Sequence, residues 1–134
     1  MSITTRRSRP TRQPVGSVPA GTNLVVVRGD LRADPEWRTS SAGDEVLQCD
    51  LLVRVAAGPA ESVPVLWAAP PASAARLVAD LDVVVVGRVR RRFFRVGGAT
   101  ATRTEVQADV IVPVRAAASV RRVIEGALGG FADG

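Results

Sequence analysis

The sequence has no histidine, no lysine, a single cysteine and five aromatic residues in 134. Without histidine, and with one thiol and no CxxC pair, the usual ligand sets for zinc are missing, as are the imidazole base of a Ser/His/Asp triad and a Cys/His couple. No GxGxxG opens a helix and no GxxxxGK[ST] occurs, so no phosphate loop of a nucleotide-handling enzyme is visible. No pair of acids is singled out by its surroundings for carboxylate chemistry. The expectation is a protein that is not an enzyme and carries no metal or cofactor. Cys49 cannot form an internal disulfide, and its apolar neighbours mark it as a small buried side chain.

Long apolar runs are missing too: none approaches the ~18 to 20 residues of a membrane span, so no membrane partner is expected. Residues 1 to 22 carry Arg6, Arg7, Arg9 and Arg12 without an apolar h-region, which reads as neither a secretory nor a twin-arginine export signal. A cytoplasmic location is expected. The same stretch is rich in Arg, Pro, Ser and Thr and lacks periodicity, so a disordered basic tail is expected there.

What remains is a valine-rich body, with hydrophobic residues at 46% and enough length for one modest core. Charge divides by segment. Residues 1 to 22 carry four arginines and no acid, residues 23 to 114 balance eleven arginines against eleven acids, and residues 115 to 134 hold three against two. Three segments follow: a basic tail at 1 to 22, a folded domain at 23 to 114, and a C-terminal helix with a short tail at 115 to 134.

Along the domain, NLVVVRGDL reads as a buried strand that bends or bulges at Gly29, and ADPEWRTSSAGDEV as turn chemistry with a tip near Gly43. EVLQCDLLVRV alternates cleanly, with Leu47, Cys49, Leu51, Val53 and Val55 on one side. VPVLW is a shorter strand whose Pro64 suits an edge or a strand start. PPASAARLVADL places Ala74, Leu77, Val78 and Leu81 at helical spacing. VVVVGRVRRRFFRV is a long strand, GGAT a turn, and TATRTEVQADVIVPV a returning strand with Thr104, Val106, Ala108, Val110 and Val112 inward. AAASVRRVIEGALGG puts Val120, Val123, Ile124, Ala127 and Leu128 on one stripe, with Gly129 as a stop. The order predicts an all-β fold: a five-stranded OB-fold barrel with a short helix between strands 3 and 4 and an extra C-terminal helix.

Two of the five aromatics sit in GRVRRRFFRVGG, the densest run of positive charge. Strand alternation places Arg88, Arg90, Arg92 and Phe94 on one face and assigns Phe93, with Val83, Val85 and Val89, to the core face. A row of guanidinium groups ending in a ring suits single-stranded nucleic acid, with charges following phosphates and the ring accepting an unstacked base. The competing reading is a solvated, charged strand that discourages edge-to-edge pairing.

From Asn23 to about Val114 the chain resembles the bacterial single-stranded DNA-binding protein family. NLVVVRGDLRADPEWRTSSAGDEV is similar to the family's opening strand, DPE motif and hairpin. VLWAAPPASAARLVADL resembles its strand-to-helix segment, and VVVVGRVRRRFF with TEVQADVIV its last two strands. The resemblance implies sequence-nonspecific binding of single-stranded DNA, with RNA as the alternative ligand. It further implies a homo-oligomer, tetramer or dimer, and work in replication, repair or recombination. It assigns base stacking to Trp67 and Phe94 and a basic contact to Arg38, beside Arg88, Arg90 and Arg92. Trp37 takes a usually aliphatic place and reads as a core or interface residue. The chain departs from the family at Glu61 or Ser62, where a further stacking aromatic is common, and at Ala69, where a basic residue is common. GGFADG offers only Phe131 and Asp133 in place of an acidic, Phe-ended tip. A module for protein interaction or assembly, with weak or lost nucleic-acid binding, is the alternative.

Overall fold

A computed structural model describes residues 21 to 133, and the side chains of 21 to 129; the expected disordered tail therefore lies almost wholly outside the described residues. The chain is mostly β: β1 (Val25–Leu31), β2 (Glu36–Thr39), β3 (Glu45–Val53), β4 (Glu61–Ala68), β5 (Asp82–Val96), β6 (Ala99–Pro113), then helix α1 (Ala117–Asp133). Five strands close a ring. β1 pairs with β5, β5 with β6, β6 with β4, β4 with β3, and β3 returns to β1 through Asp30↔Leu52 and Leu31↔Leu51. All pairings in the ring are antiparallel except β4 with β6. β2 hangs on the outer edge of β3. Among the described residues, no helix is long and apolar enough to cross a membrane.

Period-two patterning fills the ring. Leu47, Cys49 and Leu51 of β3 point inward and meet Leu31, Val65, Trp67, Val83, Val85, Val106, Ala108 and Ile111. The predicted alternation of β3 holds through Leu51, with Val53 packed at the margin; Val55 lies beyond the strand and is exposed. The turn near Gly43 and the two-residue turn at Gly97-Gly98 form as expected, both glycines of the latter having positive φ, as a tight hairpin turn demands.

The helix expected over residues 70 to 81 shrinks to one 3-10 turn, Ala72–Arg76, with Leu77 already extended. Tertiary bonds take the backbone groups that further helix needs. The Ala79 amide donates to Asp34 Oδ1 at 2.8 Å, the Asp80 amide to the Leu31 carbonyl at 2.8 Å, and the Leu31 amide to the Leu81 carbonyl at 3.0 Å. Ala74 and Leu77 still reach the core, and Val78 does not.

β6 departs from its predicted inner face. Gly87 pairs with Ala108 while Val86 pairs with Val110, so Asp109 is an extra residue, a bulge. Parity changes there: Val106 and Ala108 face inward before it, Ile111 after it, and Val110 and Val112 turn outward opposite Val86 and Val84. These valines and α1 meet outside the ring, where α1 packs on β5 and β6 with Val120, Val123, Ile124 and Ala127 half-buried. Gly129 does not stop α1, which runs on to Asp133.

Candidate nucleic-acid interface

β5 and β6 are each 15 residues long, and the ring uses only their lower halves. β1 stops pairing with β5 at Val25↔Gly87. One more rung is added by a side chain: Asn23 Nδ2 donates to the Val89 carbonyl at 2.8 Å, and the Val89 amide donates to Asn23 Oδ1 at 2.8 Å. On the other side, β4 pairs with β6 only through Val106, Gln107 and Ala108. From Arg90 to Glu105 the two strands therefore pair only with each other, as a projecting ribbon about 20 Å long at ~3.3 Å per residue. Gly87 marks its root: a Cβ there would collide with the Gln107 carbonyl oxygen, so only glycine fits where the bulge forms.

The ribbon has two faces. On the front, Arg88, Arg90, Arg92 and Phe94 of β5 stand opposite Gln107, Glu105, Arg103 and Ala101 of β6. This brings together four of the residues expected to bind nucleic acid, and Phe94 is open, at 38% exposure. Arg88 and Arg90 have no acid within ion-pair distance among the described residues. Arg92 is engaged: its Nε lies 3.3 Å from Glu105 Oε1. The Glu105 side chain is 1% exposed, and its second oxygen, Oε2, is buried without a hydrogen-bond partner. Such an oxygen costs about 1 to 3 kcal/mol, and the one guanidinium within ion-pair distance of the carboxylate, that of Arg92, meets the other oxygen. Arg103 Nη2 sits 3.8 Å from Asp50 Oδ1, tying the ribbon to β3.

Two expected contacts are not on this surface. Trp67 is 5% exposed, locked in the core beside Leu47 and Ala108, so its indole has no face free for a base; this corrects its assignment as a stacking residue. The physical reason is parity, since Trp67 shares the inward side of β4 with Val65. Arg38 is exposed on β2, with Nη2 3.0 Å from Glu36 Oε1, in a hollow also lined by Asp34 and Asp50. With Arg32 the hollow holds two arginines against three carboxylates, a net negative balance that disfavours phosphate.

The structure also exposes what the sequence assigned elsewhere. Phe93, expected in the core, is 65% exposed on the reverse face of the ribbon with Arg91 and Arg95. Beyond Val89 neither β1 nor β4 pairs with the two strands, so Phe93 has no ring interior to enter. Trp37, read as a core or interface residue, is 46% exposed on the edge strand β2, which removes the core reading and leaves the interface one. The signal for Phe93 lay in length: two strands of 15 residues joined at Gly97-Gly98 outrun a ring whose other three strands have at most nine.

Cys49 is buried as expected, and its thiol pKa is pushed up to about 12 by burial and by the neighbouring Asp50 charge. It is a packing residue with no reactive thiolate. Neither a scan of family models nor a search of curated proteins returns a match to this chain.

Proposed function

We propose that this chain binds single-stranded nucleic acid, without sequence preference, on the front face of the β5–β6 ribbon, and that the ring is an OB-fold akin to that of bacterial single-stranded DNA-binding proteins. A five-strand ring closed by one parallel pairing supports the fold reading. The observation that carries the functional reading is the projecting ribbon and its root: Arg88 and Arg90 make no ion pair among the described residues and share a face with the open ring of Phe94. Charges spaced at two-residue intervals, about 6.6 Å apart, follow a flexible phosphate chain, and the ring accepts a base. Every base has a π-face, which gives sequence tolerance.

Arg92 contributes through Glu105. The carboxylate holds the guanidinium on the ribbon, so an incoming phosphate competes with Glu105 for it. Arg38 and Trp67 take no part in this reading. The test is a titration of labelled oligothymidylate against wild type, Arg90→Ala and Phe94→Ala. Loss of about 1 to 3 kcal/mol for Phe94→Ala, the worth of one stacked base, supports the reading; unchanged affinity for both variants removes it.

A second reading, an assembly module, is favoured by the burial of Trp67 and the engagement of Arg92. Removing residues 116 to 134 and measuring the mass of the particle separates the two. A change of assembly with oligonucleotide binding intact places α1 at an interface and leaves the ribbon as the binding element.

A further inference from the structure

The reverse face of the ribbon is the more unusual of the two. Arg91, Phe93 and Arg95 of β5 alternate there, directly opposite Thr104, Thr102 and Thr100 of β6. Phe93 is more exposed than its front-face neighbour Phe94. The only acid between Arg88 and Gln107, Glu105, lies on the front, so the reverse face has two arginines and no carboxylate. Arg95 Nη2 donates to the Gly98 carbonyl at 3.0 Å, which fixes one guanidinium against the turn while leaving its charge uncompensated. Arg91 has neither an acid nor a hydrogen-bonding partner among the described residues.

A bare phenyl ring between two unpaired cations, flanked by a row of threonine hydroxyls, presents one chemistry. The ring offers a stacking surface, the cations attract anionic oxygens, and the hydroxyls donate to phosphate or sugar. An acid-free strip of this kind discriminates against a neutral partner.

We infer that the reverse face, centred on Phe93, holds a second segment of single-stranded DNA, so that one ribbon carries two segments back to back. This rests on the proposed front-face binding and extends it. The two segments belong to different strands or to one strand doubled around the Gly97-Gly98 tip. Holding two unpaired strands by their backbones and one base each leaves their remaining base edges free, which makes the ribbon a bridge between strands.

The test uses the full chain with two oligothymidylates of about 10 nucleotides, within the span of one OB-type face, one carrying a donor dye and the other an acceptor. Thymidylates do not pair with each other, so energy transfer reports two strands on one particle. Anisotropy of the donor strand alone, at trace concentration, reports first-strand binding. Wild type is expected to give both signals. Arg91→Ala/Phe93→Ala is expected to lose energy transfer by at least tenfold in the second-strand affinity while first-strand binding changes by less than about threefold, a tenfold change being 1.4 kcal/mol. Arg91→Gln/Phe93→Leu, which keeps bulk at both positions, serves as a second variant with an unchanged melting temperature as its fold control. Persistence of energy transfer in both variants overturns the inference, because bridging then arises between subunits. So does equal loss of both signals, because the two faces then act as one site. Displacement of the second strand, but not the first, by polyglutamate at equal charge overturns it in favour of an acidic protein partner. Failure of wild type to bind the first strand is a different result: it removes the front-face reading, and this inference with it.

Discussion

At the scale of single residues, exposure separates side chains of the same type. Trp67 and Phe94 are both aromatic candidates by sequence, yet one fills the ring and the other lies open on the ribbon. Trp67→Ala is therefore expected to destabilise the fold by about 3 to 5 kcal/mol, as large-to-small changes in a core do, and urea unfolding measures it. Phe94→Ala is expected to leave unfolding nearly unchanged. Glu105→Gln removes the ribbon's one negative charge and releases Arg92. Oligonucleotide affinity should rise severalfold at low salt, and anisotropy titration checks it. Cys49 gives a pH prediction. Because the native thiol pKa is raised from 9.0 to about 12, the folded state keeps a proton that the unfolded state releases. Stability from this residue is constant below about pH 9 and falls as pH rises from there toward 12. Urea midpoints across that window should decline less in Cys49→Ala than in wild type. In the native protein at neutral pH the thiol should resist alkylation, and in urea it should react.

At the scale of elements, the strands follow the two-residue period because one side of each meets the core. Leu47, Cys49 and Leu51 are legible from the sequence for that reason. Three features escape it, the first two decided by contacts remote in the chain. The helix over 70 to 81 yields to hydrogen bonds that its amides donate to Asp34 and to the end of β1. The inner face of β6 is broken at Asp109 by a bulge that Gly87 makes room for on the partner strand. α1 runs through Gly129, which opens no left-handed turn there. The site was half legible. Alternation alone places Arg88, Arg90, Arg92 and Phe94 on one face, whereas the exposure of Phe93 depends on where neighbouring strands stop. Gly87→Ala tests the root of the ribbon. Its Cβ would collide with the Gln107 backbone, and overpacking of that kind costs about 1 to 3 kcal/mol. A lowered urea midpoint is the expected result.

At the scale of the whole molecule, the ring supplies stability and the ribbon supplies charge. Between Arg88 and Gln107 six arginines face a single acid, while the domain from residue 23 to 114 is neutral. The two parts should be separable. Val89 pairs with Val106, so replacing residues 90 to 105 with an Asn-Gly turn closes the hairpin at the rim of the ring. This variant should retain cooperative unfolding and lose oligonucleotide binding. The most direct measurement is anisotropy of a labelled oligothymidylate over a series of salt concentrations, with an unlabelled duplex of equal length as competitor. With two to four phosphates neutralised, log affinity should fall against log salt with a slope of about −1.4 to −2.8, at ~0.7 per phosphate, and the duplex should compete poorly. No binding at low salt, or a duplex that competes as well as the single strand, would contradict the account.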